Sequence, residues 1–334
     1  MNDSGAVLAV IGGGRWGKTT LSVLASLPLP FDRVVAVTQF NTVAVQSCID
    51  QLTPLVPFEV MSTLDSALEK YNIGAAIVVN AAQQHFQTAL RLIERAVPVL
   101  IEKPVAQSEA QMKILIDRAR KNQISIVPGL SYRFCSYLEN YYQLAHQRGI
   151  PRTFHLQWID LPNENRYGEV KNFDTSINVV QDVMSHVWTI LSVVFKGTNL
   201  EINRVLAQAH DNHVVIDAVM NDIQGKIILN REGTFRRRSL STEFDKGMLT
   251  LDFSIEPGTI FLDDRELSGD VDWCQKPGPL ARQLSHFFSV ISKKSSCEEN
   301  FEYCMGSVVC SERAVVLKNN RHGMNGVLVS IKNI

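Results

Sequence analysis

The sequence predicts an α/β fold: an N-terminal Rossmann doubly wound parallel sheet, then a C-terminal α+β domain with a large, mostly antiparallel sheet. Three observations carry this reading. Short apolar runs alternate with amphipathic stretches between residues 7 and 127, the pattern of parallel strands joined by crossover helices. The first apolar run, VLAVI, leads directly into a glycine-rich turn. Between Ile202 and Leu267 the pattern changes to alternating runs joined by Asp211-Asn212, Gln224-Gly225, Glu232-Gly233 and Pro257-Gly258. That is an antiparallel sheet with one face to bury. The change of pattern near Gly129 divides the chain into two domains, residues 1–129 and 130–334.

Length and composition agree. A chain of 334 residues is long for one core and suggests two domains. The net charge of −1 gives no support to nucleic acid or an anionic membrane as a partner. No apolar run reaches the length of a membrane span, and residues 7–11 are too short for a signal-peptide core. The six cysteines form no C-x-x-C pair and have no histidine at zinc-site spacing. No metal site is expected, and reduced thiols in a cytoplasmic protein are the expectation.

Each element has its own signal. Residues 7–11 form a compact apolar strand. Gly12, Gly14 and Gly17 then fit G-x-G-x-x-G, with Arg15 and Trp16 inside the turn, ahead of an amphipathic helix to about Leu27. In strand–turn–helix context this is a dinucleotide cradle: glycines allow the tight turn and the close approach of a pyrophosphate, and the helix N-terminus supplies N–H groups. A merely tight turn is the plainer alternative. Further strands are read at residues 34–37, 59–61, 75–80, 97–101 and 124–127, with helices at 65–71, 85–95 and 109–122. Ser108 and Gln111 mark the last of these helices with a capping box.

Glu102, Lys103 and Pro104 follow the apolar strand end Val99-Leu100-Ile101 without a spacer. Proline stops the strand, so Lys103 lies at a strand's carboxyl end before the crossover helix begins. Ligands of open α/β sheets bind in the crevice beyond those ends. The alternative is a pair of ordinary solvated charges. In the second domain a helix is read over residues 134–148, a strand over 153–161 and a long helix over 176–195. Asp182 and His186 are four apart on that long helix, which places a carboxylate and an imidazole on one face. Read alone, the same spacing suits an exposed ion pair or a core histidine. Arg236, Arg237 and Arg238 read as a charge-protected edge strand, Trp158 and Trp188 as packing residues. Helices at 280–292 and 303–318 close the chain.

Together the glycine turn, Glu102-Lys103-Pro104 and Asp182-x-x-x-His186 resemble the glucose–fructose oxidoreductase / inositol dehydrogenase family (Gfo/Idh/MocA). The segment from Asn80 to His85 is similar to the family's loop after the preceding strand, and Pro128 to Phe134 to its turn into the second domain. The resemblance implies an NAD(P)-dependent oxidoreductase acting on a small-molecule carbonyl or alcohol, a sugar-like ketone or polyol. Glycine-turn residues, Asn80, His85 and Glu102 would then serve the cofactor, and Lys103 both cofactor and substrate. Asp182 would orient the substrate and His186 would act as general acid or base. It further implies a cis peptide before Pro104 and a homo-oligomer, dimer or tetramer. The chain departs from the family at Asn178, Val179, Val180 and Met184, where glycines are frequent, and these changes would reshape the substrate wall. Reduction of a C=N bond and non-catalytic dinucleotide sensing are the rival readings.

The cofactor expected is NADP, with NAD possible. NAD-specific Rossmann domains carry an acidic residue about 20 residues after the glycine turn, on the ribose 2′-hydroxyl. Here the second strand runs into Thr38, Gln39, Phe40 and Asn41, which include no carboxylate. Thr38, Gln39 and Asn41 could donate hydrogen bonds to a 2′-phosphate, and Arg15 could pair with it.

Overall fold

The computed structural model describes residues 6–166, 169–171, 177–208, 212–263, 265–293 and 298–319. Ser176, where the long helix was expected to start, lies outside these residues, as do Asp211 and Cys297. The first elements in chain order are β1 (Val7–Ile11), α1 (Arg15–Ala25), β2 (Arg33–Val37), α2 (Thr42–Asp50), β3 (Phe58–Met61) and α3 (Leu64–Lys70). Then come β4 (Ile73–Val78), α4 (His85–Ile93), β5 (Val99–Glu102), α5 (Glu109–Lys121) and β6 (Ile126–Gly129). After the 3-10 turn Ser131–Phe134 follow α6 (Ser136–His146), β7 (Thr153–Ile159), β8 (Glu164–Arg166), β9 (Glu169–Lys171) and α7 (Val179–Phe195). Next are β10 (Leu200–Gln208), β11 (His213–Met220), β12 (Ile223–Asn230), β13 (Arg237–Phe244), β14 (Gly247–Asp252), β15 (Thr259–Leu262) and β16 (Arg265–Ser268). Helices α8 (Pro279–Ser292) and α9 (Glu298–Asn319) end the described chain.

Two compact units result. The first joins Met1–Phe134 to Gly278–Val308 and the second joins Cys135–Pro277 to Val309–Ile334. In the first unit, strands in the order β3-β2-β1-β4-β5-β6 form a parallel sheet. The order reverses between β1 and β4, which is the switch point that opens a crevice at the carboxyl ends. The central strands are apolar throughout because both faces are covered: Val7, Leu8, Ala9, Val10 and Ile11 are all buried. Ser108 caps α5 by accepting from the Gln111 N–H at 3.2 Å, while the Gln111 amide oxygen accepts from Gln107 N–H at 3.0 Å rather than from the cap residue itself.

Helix α8 belongs to the core of the first unit. Leu284, Phe287, Phe288 and Val290 are buried with Leu8, Val10, Leu21 and Leu24, and the Phe288 ring meets Phe31 edge-on at 5.7 Å. The sequence reading assigned this helix to residues 130–334. Its 3.6-residue periodicity shows an apolar face and says nothing of which core receives it.

In the second unit the strand order is β10-β11-β12-β7-β13-β14-β15-β16. Its neighbours pair antiparallel except β12 with β7, which run parallel. Helix α7 packs across β11 and β12. Strand β13 is central, between β7 and β14, not an edge. Period-2 alternation turns Arg238 to the covered side, where it is 6% exposed, while Arg237 stays exposed. The arginine run is therefore not a solvated edge. Among the described residues no helix is long and apolar enough to cross a membrane.

Phe287→Ala is expected to lower the unfolding free energy by about 3–5 kcal/mol. Urea unfolding checks it, and a loss below about 1 kcal/mol would mean that α8 is not part of this core.

Candidate active site

The first unit gathers its predicted residues at one edge of the parallel sheet, where β1, β2, β4 and β5 end. Gly12 has φ +133° and lies so close to β4 that a Cβ would sit 2.5 Å from the Val79 carbonyl oxygen. A Cβ at Gly17 would strike the Gly12 carbonyl, and one at Gly13 would strike the Thr38 side chain. Gly14 faces open space and is the N-cap of α1 without any side-chain cap. The first turn of α1 holds no acidic residue and begins with Arg15. Bare N–H groups, a positive helix end and open space suit a dinucleotide's pyrophosphate.

Thr38 is buried beneath Gly13, and the Asn41 side-chain amide donates to the Gly13 carbonyl at 3.3 Å. The loop after β2 is thus fastened to the glycine turn, with Gln39 and Phe40 exposed. Trp16 is half-buried and packs against the apolar core. Asn80 ends β4. Its side-chain N–H2 donates to Thr88 Oγ1 at 2.9 Å, whereas its Oδ1 is buried with no hydrogen-bond partner among the described residues. An orphaned acceptor on the same edge as the glycine turn fits a ligand that brings hydroxyl donors, such as the riboses of a dinucleotide.

His85 is 2% exposed, so its imidazole is not open to a ligand. Its Nδ1 lies 2.8 Å from the Pro104 carbonyl oxygen and its Nε2 3.0 Å from the Asn80 carbonyl oxygen. The ring straps the loop after β4 to the loop after β5. Direct contact with a cofactor, which the family resemblance implied for this residue, is replaced by a hold on the two backbones that flank the crevice. A neutral ring has one N–H and can donate to only one of the carbonyls. Burial lowers the His85 pKa below 6.5, against the upward pull of the Pro104 and Asn80 carbonyls, and the Lys103 charge lowers it further. Glu102 and Lys103 are half-buried at the end of β5, and the Lys103–Pro104 peptide is cis. Gly129 makes room for Glu102: a Cβ there would sit 2.5 Å from its Oε2.

In the second unit, Asn178 and Gln181 form a capping box that starts α7: Gln181 N–H donates to Asn178 Oδ1 at 3.0 Å, and Asn178 N–H to Gln181 Oε1 at 3.1 Å. Asp182 therefore lies in the first turn, where the helix dipole favours a carboxylate. His186 follows one turn later, half-buried, its ring stacked on Trp158 at 5.2 Å with the planes 10° apart. Val179, Val180 and Met184 are fully buried. They pack the core of this unit and do not form the substrate wall that the sequence reading gave them. Sequence reasoning missed Asp160, whose carboxylate accepts from the Trp158 indole N–H at 3.2 Å. The available signal was weak: Trp158 and Asp160 share a strand face by period 2.

A switch-point crevice with a bare glycine turn defines the first unit as a dinucleotide-binding domain. Residues 7–129 match the GFO_IDH_MocA model, described as an oxidoreductase family with an NAD-binding Rossmann fold. The likeness to the Gfo/Idh/MocA oxidoreductases, a family with an NAD-binding Rossmann fold, lies in this domain. No curated protein matches the sequence. Among solved structures, the UDP-N-acetylglucosamine 3-dehydrogenase GnnA of Acidithiobacillus ferrooxidans is 18% identical, with 93% of this chain and 97% of that chain covered at a TM-score of 0.73. The 3-ketoreductase KijD10 of Actinomadura kijaniata, in complex with NADP and TDP-benzene, is 14% identical, with coverage of 94% and 98% and a TM-score of 0.76. GenD2 from gentamicin A biosynthesis, in complex with NAD, is 15% identical, with coverage of 96% and 97% and a TM-score of 0.75. At these identities the likeness is one of fold.

The His85 strap makes stability depend on pH. The unfolded histidine titrates near pH 6.5, and the folded one lower. Below that pH the unfolded chain binds more protons, so stability is lost as pH falls from about 6.5. His85→Asn is expected to make this decline shallower by up to about 1.4 kcal/mol per pH unit, as read by urea unfolding across that range. An equal slope in both proteins would move the titration to His155 and His286, whose pKa values burial also lowers.

Proposed function

We propose that this protein is an NADP-preferring oxidoreductase that oxidises or reduces a secondary alcohol or ketone on a sugar, the sugar of a nucleotide-sugar being the first candidate. The observation that carries the reading is Lys103 at the carboxyl end of β5, on the same sheet edge as the bare glycine turn after β1. The fold likeness to a UDP-N-acetylglucosamine 3-dehydrogenase and a 3-ketoreductase supports the substrate class. When bound, the nicotinamide gives or takes the hydride. The chain's own groups bind, orient and manage the proton. Gly12, Gly14 and Gly17 hold the pyrophosphate, and Arg15 reaches the adenosine side. Asn80 accepts from a ribose hydroxyl, and Glu102 and Lys103 serve the nicotinamide side. Lys103 also donates to the substrate oxygen. Asp182 orients the substrate, and His186 gives a proton to the developing alkoxide or takes it from the alcohol. Thr38, Gln39 and Asn41, with no carboxylate among them, favour a 2′-phosphate over repelling it.

We also propose that the enzyme works as a homo-oligomer in a reducing, cytoplasmic setting. On the sheet side away from Trp158, Val215, Ile228 and Ile159 remain half-exposed, a surface suited to a second copy.

Turnover of UDP-N-acetylglucosamine and of TDP-sugars with each cofactor tests the reading. Lys103→Met should keep cofactor binding and lose about a hundredfold in turnover. His186→Asn should slow turnover and flatten one limb of the pH–rate profile. Wild-type turnover in Lys103→Met, or an unchanged profile in His186→Asn, removes that residue from the chemistry. In fluorescence titrations the wild type should bind NADPH more tightly than NADH, and Thr38→Asp should reverse the order. Equal affinities, or no loss of NADPH binding in Thr38→Asp, would end the NADP assignment.

A further inference from the structure

A buried ionic unit stands behind the His186 ring and has no part in the chemistry just described. Asp160, directly after β7, is 3% exposed, and Arg238, on the neighbouring strand β13, is 6% exposed. The Arg238 guanidinium donates to Asp160 Oδ1 through Nε at 3.2 Å and through Nη2 at 2.8 Å, and to Oδ2 through Nη2 at 3.0 Å. Arg236 adds a longer contact to Oδ1 at 3.4 Å. The same carboxylate accepts the Trp158 indole N–H, and the guanidinium carbon lies 3.9 Å from the centroid of the Trp158 ring. Phe253 meets that ring edge-on at 6.3 Å, and its own N–H donates to the Arg238 carbonyl at 2.8 Å. The indole is thereby held in plane by a hydrogen bond, a cation and an aromatic edge. The His186 imidazole stacks on it almost parallel.

Stability alone does not account for this arrangement. A buried ion pair can often be replaced by apolar side chains of similar volume without loss. What such a pair adds is a fixed geometry. A histidine ring on a helix has a broad, roughly two-fold χ2 preference, and rotation about it exchanges the places of its two nitrogens. A flat surface against the ring removes that freedom, provided the surface itself does not turn.

We propose that Asp160, Arg238 and Trp158 are positioning residues that hold the His186 imidazole in one orientation. The inference rests on the reading of His186 as the acid or base; the ring's orientation can be measured without it. The test uses the full chain with histidine rings labelled for NMR, the His186 signal being assigned by its loss in His186→Asn. In the wild type the indole ring current should shift that signal upfield. Trp158→Leu should return it toward the position of a free histidine. Trp158→Phe, which keeps an aromatic face, should retain part of the shift, and Arg238→Met should lose part of it. An unshifted wild-type signal, or one that Trp158→Leu and Arg238→Met both leave in place, overturns the proposal.

A second arm reads function. With the sugar nucleotide that the wild type turns over, Trp158→Leu should lower kcat about tenfold to a hundredfold and leave KM and the cofactor Kd unchanged. In the His186→Asn background it should cost nothing further. An equal loss in both backgrounds means that Trp158 acts as general packing, and the proposal falls. If His186→Asn itself keeps full turnover, the acid–base reading fails instead, and the ring shift alone decides the positioning.

Discussion

The first unit depends on one steric constraint: backbone must touch backbone where β1 turns into α1. A side chain at Gly17 would collide with the Gly12 carbonyl, and one at Gly12 with the end of β4. Only hydrogen at those positions lets α1 start directly above the sheet's switch point. Every other feature of that edge follows from the closeness. Thr38 reaches under Gly13, Asn41 bonds its carbonyl, and the N–H groups of α1 remain bare. The same absence of side chains that shapes the turn leaves room for a ligand's phosphates.

The edge is then made rigid from inside. His85 bridges two loops through backbone carbonyls, and it does so buried and neutral at ordinary pH. A bridge of this kind is indifferent to the side chains at Asn80 and Pro104. It constrains the main chain on which Asn80 and Lys103 are mounted. In the second unit a capping box sets the start of α7, hence the phase of Asp182 and His186, and the His186 ring stacks on an indole. In both units the residues proposed for the site are held by neighbours to which no ligand contact is assigned.

Strong local periodicity made most of the fold legible. The βα alternation, the glycine turn and the run of alternating strands each depend on residues close together in the chain, and each named its element correctly. So did the proline that ends β5 and places Lys103 beyond it. Three readings failed for a common reason. Arg236 to Arg238 looked like an edge because charge in a strand usually marks one, and nothing local reveals that β13 pairs with β7. Val179, Val180 and Met184 looked like a substrate wall because they differ from a familiar pattern, yet their faces turn to the core. His85 was assigned to the cofactor because it resembles a position of a known family, yet its ring is buried and turned onto two backbone carbonyls.

By itself, then, the sequence determined what is carried by short-range pattern: element types, the crossover order implied by alternation, the phosphate-binding turn, and the four-residue spacing of Asp182 and His186. Tertiary structure alone decided what depends on contacts between distant segments. It sent α8 back to the first core, some 270 residues after β1. It buried Arg238 against Asp160, 78 residues away. It turned His85 inward onto two carbonyls. Hydrophobic periodicity specifies that a face will be buried and a charge specifies that it needs a partner. Neither specifies against what, because the partner is chosen by the packing of the whole chain.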